Sequence, residues 1–249
     1  QDGVDRDFRI ESDSNTHAFF INGEYKSLIG MATSSPVSYA SGDTVLYLHG
    51  SANPAIALSD NGQTRDYFIT AQGSALNIQY ADGSNTGSAS NVTSLASFDN
   101  SGHVTMPNQP AFRSDVTTQA SNKTGGGSNY AIIEASWTDR YDRNSDFSNG
   151  TFTAPVTGIY HFDFALTLTG TTTSMTGATF SFIASNRTLT IYKSPGVDRN
   201  TSLGGTTYIL SMDVDMDAND TCHLQINVAG DSDTVDVYTT SSFSGHLIG

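Results

Sequence analysis

Apolar residues in this chain recur at every second position, in short runs set apart by Gly, Ser, Thr, Asn and Asp. In the first 109 residues the runs are pairs: Phe8 and Ile10, Phe19 and Ile21, Leu46 and Leu48, Ile56 and Leu58, Tyr67 and Ile69, Leu76 and Ile78. Two-residue spacing is the period of one face of a β-strand. Glycine-bearing turns at Asn22-Gly23, Ser41-Gly42, Asn61-Gly62, Asp82-Gly83 and Ser101-Gly102 return about every 20 residues, the mark of a repeat array. A unit of two short strands and a turn buries too little apolar surface to stand alone. The pattern therefore predicts a repetitive β region whose apolar stripe is covered by several chains sharing one core.

From Ala111 onward the runs lengthen: Tyr160 to Leu168, Phe180 to Ile183, Leu189 to Tyr192, Tyr208 to Met212, Leu224 to Val228, Val235 to Tyr238 and Phe243 to Ile248. Short strands between turn clusters, with no helical period, indicate a β-sandwich or jelly roll. In HFDFALTLTG the alternation sends Tyr160, Phe162, Phe164, Leu166 and Leu168 to the core, and His161, Asp163 and Thr167 to the other face. Pro107 and Pro110 punctuate MPNQP, and proline cannot donate to a central ladder. The domain boundary is expected there, dividing residues 1–109 from 110–249. The glycine-rich ASNKTGGGSN, residues 120–129, reads as a flexible exposed loop.

Composition narrows the partners. Asp and Glu total 25 against 11 Lys and Arg, a formal net charge of -14. Phosphate backbones and anionic membrane surfaces both call for a basic footprint, so nucleic acid binding and membrane insertion are not expected. No stretch approaches the roughly 18 apolar residues of a membrane span. Cys222 is the sole cysteine and reads as a small buried hydrophobe. No leader is visible, and the first residue is Gln1 rather than Met, so further residues are expected upstream.

Two sets of residues carry resemblances. Phe152, Gly158, Tyr160, Phe162 and Phe164 form the string F-x5-G-x-Y-x-F-x-[FY], and Phe243 and Gly245 lie in the closing SFSGHLIG. Both resemble the globular-head family of the first complement component, which shares a trimeric jelly roll with tumour necrosis factor. One departure lies in FSNGTF, where Phe147 precedes Phe152 by five positions while the family's aromatic commonly precedes it by seven. The opening DFRIESDSNTHAFFINGE with Ser34-Ser35-Pro36, and the later FDNSGHVTMPNQPAF, resemble shaft segments and pre-tip junctions of bacteriophage fibres.

Together the resemblances imply an all-β chain: a trimeric β-repeat shaft, residues 1–109, followed by a jelly-roll knob, residues 110–249. They imply a homotrimeric tail or head fibre on the virion exterior, joined to other virion proteins through its N-terminal side. Its knob would bind a host-cell glycan or envelope protein. A structural or decoration fibre without a receptor is the alternative reading, with a polysaccharide depolymerase as a third.

Candidate chemistry is sparse. Trp137, Arg140, Tyr141 and Arg143 in SWTDRYDRNSDF combine flat aromatics with forked donors, a composition suited to carbohydrate or protein contact, while the plainer reading places Trp137 and Tyr141 in the core or the trimer seam. Lys193, Asp198 and Arg199 in KSPGVDRN form a second candidate patch. Asp213, Asp215, Asp217 and Asp220 could offer hard oxygen ligands to calcium, but DVDMDAND lacks the glycine and terminal Glu of a calcium loop. A solvent-facing strand leading into a turn is the plainer reading, and no other cofactor is expected. No nucleophile elbow, metalloprotease pair or phosphate loop occurs, and the six histidines are scattered, so no catalytic residue is assigned and no enzyme is expected.

Overall fold

The structure, a computed structural model, describes residues 53–58, 65–82, 92–185, 187–193 and 205–249, together with four strands nearer the N-terminus. Two compact units divide the chain, Gln1–Pro107 and Asn108–Gly249. Among the described residues every regular element is a strand.

The first unit holds β1 (Phe8–Ser12), β2 (Asn15–Ile21), β3 (Ile29–Met31), β4 (Leu46–Leu48), β5 (Ala55–Leu58), β6 (Arg65–Gln72), β7 (Ala75–Asp82), β8 (Val92–Asp99) and β9 (Val104–Thr105). They form two sheets, ordered β1-β2-β3-β4 and β5-β6-β7-β8-β9. The apolar pairs of the sequence become cross-strand neighbours: Phe8 faces Ile21 and Ile10 faces Phe19. The β6–β7 hairpin closes on Gly73 and Ser74, both with positive φ, the geometry of a tight two-residue turn. Of the five glycine turns read from the sequence, the one at Ser101-Gly102 is described in full; those at Gly23, Gly42, Gly62 and Gly83 lie outside the described residues.

In the second sheet of this unit, directly opposed residues line up in rows. Ile56, Ile69 and Ile78 make one row with Ala96; Leu58, Tyr67 and Tyr80 make a second; Leu76, Phe98 and Val104 make a third. All three rows lie on one face, because directly opposed side chains share a face of the sheet. Ile56, Leu58, Tyr67, Ile69, Leu76, Ile78, Phe98 and Val104 are exposed. The other face carries Thr70, Asn77, Gln79, Ser97 and Thr105.

The second unit holds β10 (Ala111–Thr118), β11 (Ala120–Thr124), β12 (Asn129–Ala131), β13 (Ser136–Arg143), β14 (Phe147–Ser148), β15 (Thr151–Thr153), β16 (Gly158–Thr169), β17 (Gly177–Ala184), β18 (Arg187–Lys193), β19 (Thr206–Met216), β20 (Thr221–Ala229), β21 (Val235–Val237) and β22 (Ser242–Leu247). One sheet runs β13-β10-β22-β16-β19, with β21 and β11 continuing beside the end of β16. The other runs β14-β15-β20-β17-β18, with β12 also on β20. Their inner faces close over one core.

That core is aromatic. Tyr160, Phe162, Phe164, Leu166 and Leu168 are all buried, as the alternation of β16 predicts, and Phe112, Phe152, Phe180, Phe182 and Phe243 join them. Phe112 stacks on Phe147 and Phe152, and Phe243 meets it edge-on. Thr167 stands on the outer face, as read, and is buried there, its hydroxyl bonded to those of Thr207 and Thr240. The short turn of FSNGTF is a two-residue hairpin on Asn149 and Gly150, both at positive φ, which sets Phe147 directly across from Phe152.

Residues 120–129 are not the flexible loop that their glycines suggest. Ala120–Thr124 is a strand paired with β21, and Asn129–Ala131 is a strand paired with β20. The segment is pinned by carboxylates far along the chain. Asp236 accepts the Asn122 N–H at 2.7 Å, and Asp233 accepts the Gly126 N–H at 2.8 Å.

Candidate functional site

The second unit presents two ends and one broad outer face. At one end the chain enters and leaves: the Leu247 N–H donates to the Pro110 carbonyl, and the Ile159 N–H to that of Gly249. The Asp213–Asp220 series runs to this end. A recess of about 390 Å³ opens here, lined by Gly158, Ile159, Arg187, Asp215, Asp217 and Asp220 among others. Arg187 Nη1 lies 2.5 Å from Asp215 Oδ1, and its other terminal nitrogen donates to the Asp215 carbonyl. The guanidinium holds the Asp215 carboxyl below the ordinary range. Asp220 accepts the Asp217 N–H, closing the turn. Among the described residues no three of His, Cys, Asp and Glu converge as ligands of one ion would. The acids of this series thus divide among separate intrachain partners.

The opposite end is built from three loops held rigidly together. The Asp231 N–H donates to the Gly125 carbonyl, and Asp231 accepts the Thr172 hydroxyl, which pulls its carboxyl down. Thr234 Oγ1 donates to the Gly170 carbonyl at 3.2 Å. Gly170 cannot be replaced cheaply, since it has a φ of +71° and a Cβ there would meet the Thr234 carbonyl. Tyr238 is exposed near this end. The surface is polar and preorganised.

On the outer face of β13-β10-β22-β16-β19, register sets side chains in rows across the sheet. Arg143, Ala111, His246, His161 and Asp213 form one row; Tyr141, Arg113, Ser244, Asp163 and Ser211 form the next. His161 is the centre of a small network. Its Nδ1 lies 2.6 Å from Asp213 Oδ1, its Nε2 lies 3.3 Å from Asp163 Oδ2, and the His246 ring is 5.5 Å away. The Asp213 hydrogen bond chiefly raises the His161 pKa, against a smaller opposing effect of burial. His223 on β20 behaves oppositely, because burial alone pushes it down.

The residues singled out in the sequence fall into different environments. Trp137 is partly buried and packs against the core. It packs edge-on against Phe147 and Phe164, and its indole N–H donates to the Ile132 carbonyl at 3.2 Å. The sequence left core or seam beside contact as readings of Trp137, because Val116, which pairs with it across β10–β13, is 21 residues away. Tyr141 is half exposed, and Arg140 Nε lies 2.6 Å from Asp115 Oδ2. Arg143 ends β13. Lys193 ends β18, while Asp198 and Arg199 lie outside the described residues. Cys222 is fully buried, and burial pushes its thiol up to about 12, so it is inert.

The fold-signature residues come together. Phe152, Tyr160, Phe162, Phe164 and Phe243 share the core. Gly245 lies against two rings: a Cβ there would stand 2.5 Å from Phe162 Cδ1 and 2.9 Å from Phe112 Cε1. Gly158 is likewise crowded by Leu247.

Residues 133–248 match the C1q domain family. Among solved structures, the globular domain of zebrafish complement 1qA protein is similar at 17% identity and a TM-score of 0.40, over 57% of this chain and 98% of that one. Murine APRIL at pH 8.5 is similar at 11% identity and a TM-score of 0.38, over 56% of this chain and 99% of that one. No curated protein matches the sequence. Domains of the C1q and tumour-necrosis-factor type are generally binding or structural modules rather than enzymes, and commonly form homotrimers. The match marks residues 133–248 of this chain as similar to the C1q domain, and the strands described there form a jelly roll.

Proposed function

We propose that this chain is a homotrimeric fibre protein of a virus particle, exposed on its exterior, whose C-terminal jelly roll binds a host-cell receptor without chemical turnover. The observation that carries the reading is the bare apolar face of β5–β9. Ile56, Leu58, Tyr67, Ile69, Leu76, Ile78, Phe98 and Val104 form a contiguous exposed patch on an open sheet. Contiguous patches of that kind mark an interaction surface. Sister chains burying the same face against one another would make a slender β shaft, residues 1–109. Three copies suit a chain whose other unit is of a commonly trimeric kind. The segments DFRIESDSNTHAFFINGE and FDNSGHVTMPNQPAF, which resemble phage fibres, set the particle context.

We assign receptor contact to the rigid loops around Gly125–Ser128, Gly170–Thr176 and Gly230–Thr234, which lie at the end of the jelly roll away from Pro110. Polar loops held in one conformation bind with little ordering cost. Their chemistry suits a surface glycan or an envelope protein. Three knobs per fibre, and several fibres per particle, turn weak single contacts into avidity.

Two measurements test the reading. Sedimentation of the full chain should give three times the monomer mass; a monomer would overturn the fibre. The chain displayed on beads should then bind host cells and not a non-host control. Absence of binding to every host of the virus would leave a structural fibre, and release of oligosaccharides from the envelope would make it a depolymerase.

A further inference from the structure

Arg187 and Asp215 bridge the edges of the two sheets at the end of the jelly roll where the chain enters. Arg187 opens β18 in one sheet, Asp215 lies near the end of β19 in the other, and Asp217 and Asp220 belong to the turn after β19. All four line the recess of about 390 Å³ at that end, a volume within the roughly 300–1,000 Å³ usual for small-ligand sites. The polar network of this recess is unfinished. A guanidinium holds five N–H donors. The two terminal nitrogens of Arg187 each give one to Asp215, and Nε is enclosed with no acceptor among the described residues. The charges of Asp220 and Asp217 also act on this guanidinium. Among the described residues these two carboxylates accept a single hydrogen bond, from the Asp217 N–H to Asp220 at 3.1 Å.

An apolar wall accompanies the polar groups, since Ile159, 47% exposed, and the buried Met216 line the same recess. Spare donors, spare acceptors and an apolar wall in one concavity call for a ligand that both gives and takes hydrogen bonds and has a C–H face. A hydroxyl does both, and a sugar ring carries several around an apolar face. Charge narrows the class. Three carboxylates against one guanidinium leave a surplus of two negative charges, which opposes an anionic ligand. We propose that this recess binds a sugar residue that carries no negative charge. Asp217 and Asp220 accept from its hydroxyls, a free N–H of Arg187 donates to another, and Ile159 packs against its C–H face. Asp215 is a positioning residue, which fixes the plane of the guanidinium through two hydrogen bonds. The site goes beyond the receptor reading: it lies at the other end of the unit from the loops assigned there, and it stands whether or not the chain forms a fibre.

Saturation-transfer NMR on the full chain tests this. The probes are the methyl glycosides of glucose, galactose, mannose, glucosamine and glucuronic acid, with butylammonium as a cation without hydroxyls. At least one of the first four glycosides should receive saturation through its ring C–H protons. The glucuronide and butylammonium should each bind more weakly than the best glycoside by roughly tenfold or more, the loss expected for one hydrogen bond to a charged group.

Variants supply a second arm. Asp217→Ala, at an exposed position, should weaken binding of that glycoside by roughly tenfold or more for the same reason. Arg187→Lys, which keeps the charge and loses the fork, should weaken it as well. Tyr238→Ala, near the opposite end, should leave it unchanged. An unaltered thermal midpoint for Asp217→Ala and Tyr238→Ala confirms that both fold. Binding kept in Asp217→Ala and lost in Tyr238→Ala would move the sugar to the far loops, which overturns this site and spares the receptor reading. Saturation of none of the glycosides, or a glucuronide or butylammonium bound as tightly as the best of them, would overturn it outright.

Discussion

His161 Nδ1 lies 2.6 Å from Asp213 Oδ1, joining β16 to β19 across 52 residues of sequence. His223, on the other sheet, is half buried and is pushed down rather than up. The two rings share an ordinary value of 6.5 and should therefore separate in an NMR titration, His161 ionising above it and His223 below. Asp213→Asn should bring His161 back down. The linkage signs are opposite. Stability from His161 is complete below 6.5 and is lost as pH rises through its folded value. Stability from neutral His223 is complete above 6.5 and is lost as pH falls through its own. His223→Gln should accordingly flatten the acid side of the stability profile; an unaltered acid limb would contradict the assignment.

Gly245→Ala should destabilise the jelly roll by about 1–3 kcal/mol, the usual cost of overpacking a filled core. The added methyl would stand 2.5 Å from a ring carbon of Phe162, and that ring is itself enclosed. Gly249→Ala is the control, as nothing lies within 4 Å of the position. Urea unfolding of the two variants should differ by that amount.

Trp137 and Tyr141, four residues apart on one strand, should respond oppositely to truncation. Trp137→Ala removes contacts with Phe147 and Phe164, and a cost of about 2 kcal/mol is expected for a partly buried indole. Tyr141→Ala should change stability by no more than about 0.5 kcal/mol, as for most exposed positions. Equal losses would mean that the strand is turned differently.

Ile69 and Ile78 sit directly opposite one another on the bare face of the first unit. Ile78→Asp should dissociate the full chain, read as a fall in sedimentation mass. Ser97→Asp, on the opposite face of the sheet, should leave the mass unchanged.

Asp236 holds residues 119–122 through the Asn122 N–H and the Gln119 side chain, both at 2.7 Å. Hydrogen bonds to a charged group contribute about 1.5–3 kcal/mol. Asp236→Ala should therefore speed hydrogen exchange at the Asn122 amide by roughly tenfold or more, with the Phe164 region unaffected. Uniform acceleration across the domain would point instead to global loosening.

Alternation is a local property, so the strands and their inward faces were legible residue by residue. Tyr160, Phe162 and Phe164 had to share a face whatever lay above them, and the signature around Phe152 and Gly158 pointed to a jelly roll before any pairing was known. The apolar residues from Ile56 to Ile78 likewise alternated onto one face, and that face is exposed in the chain.

Partnership was not local, and there the tertiary structure decided. Trp137 stood between contact and core in the sequence, because its neighbours Asp139, Arg140 and Tyr141 are polar or exposed; its cover comes from Phe147, and from Phe164 on β16. Asp213 and Asp215 read as one acidic run, but His161 and Arg187 claim them separately, from 52 and 28 residues away. The glycines of 120–129 suggested freedom, and Asp233 and Asp236, more than a hundred residues downstream, remove it. Strand order brings distant side chains within hydrogen-bonding range, and that proximity, rather than composition, fixes whether a charged or aromatic residue is buried, paired or offered to a partner.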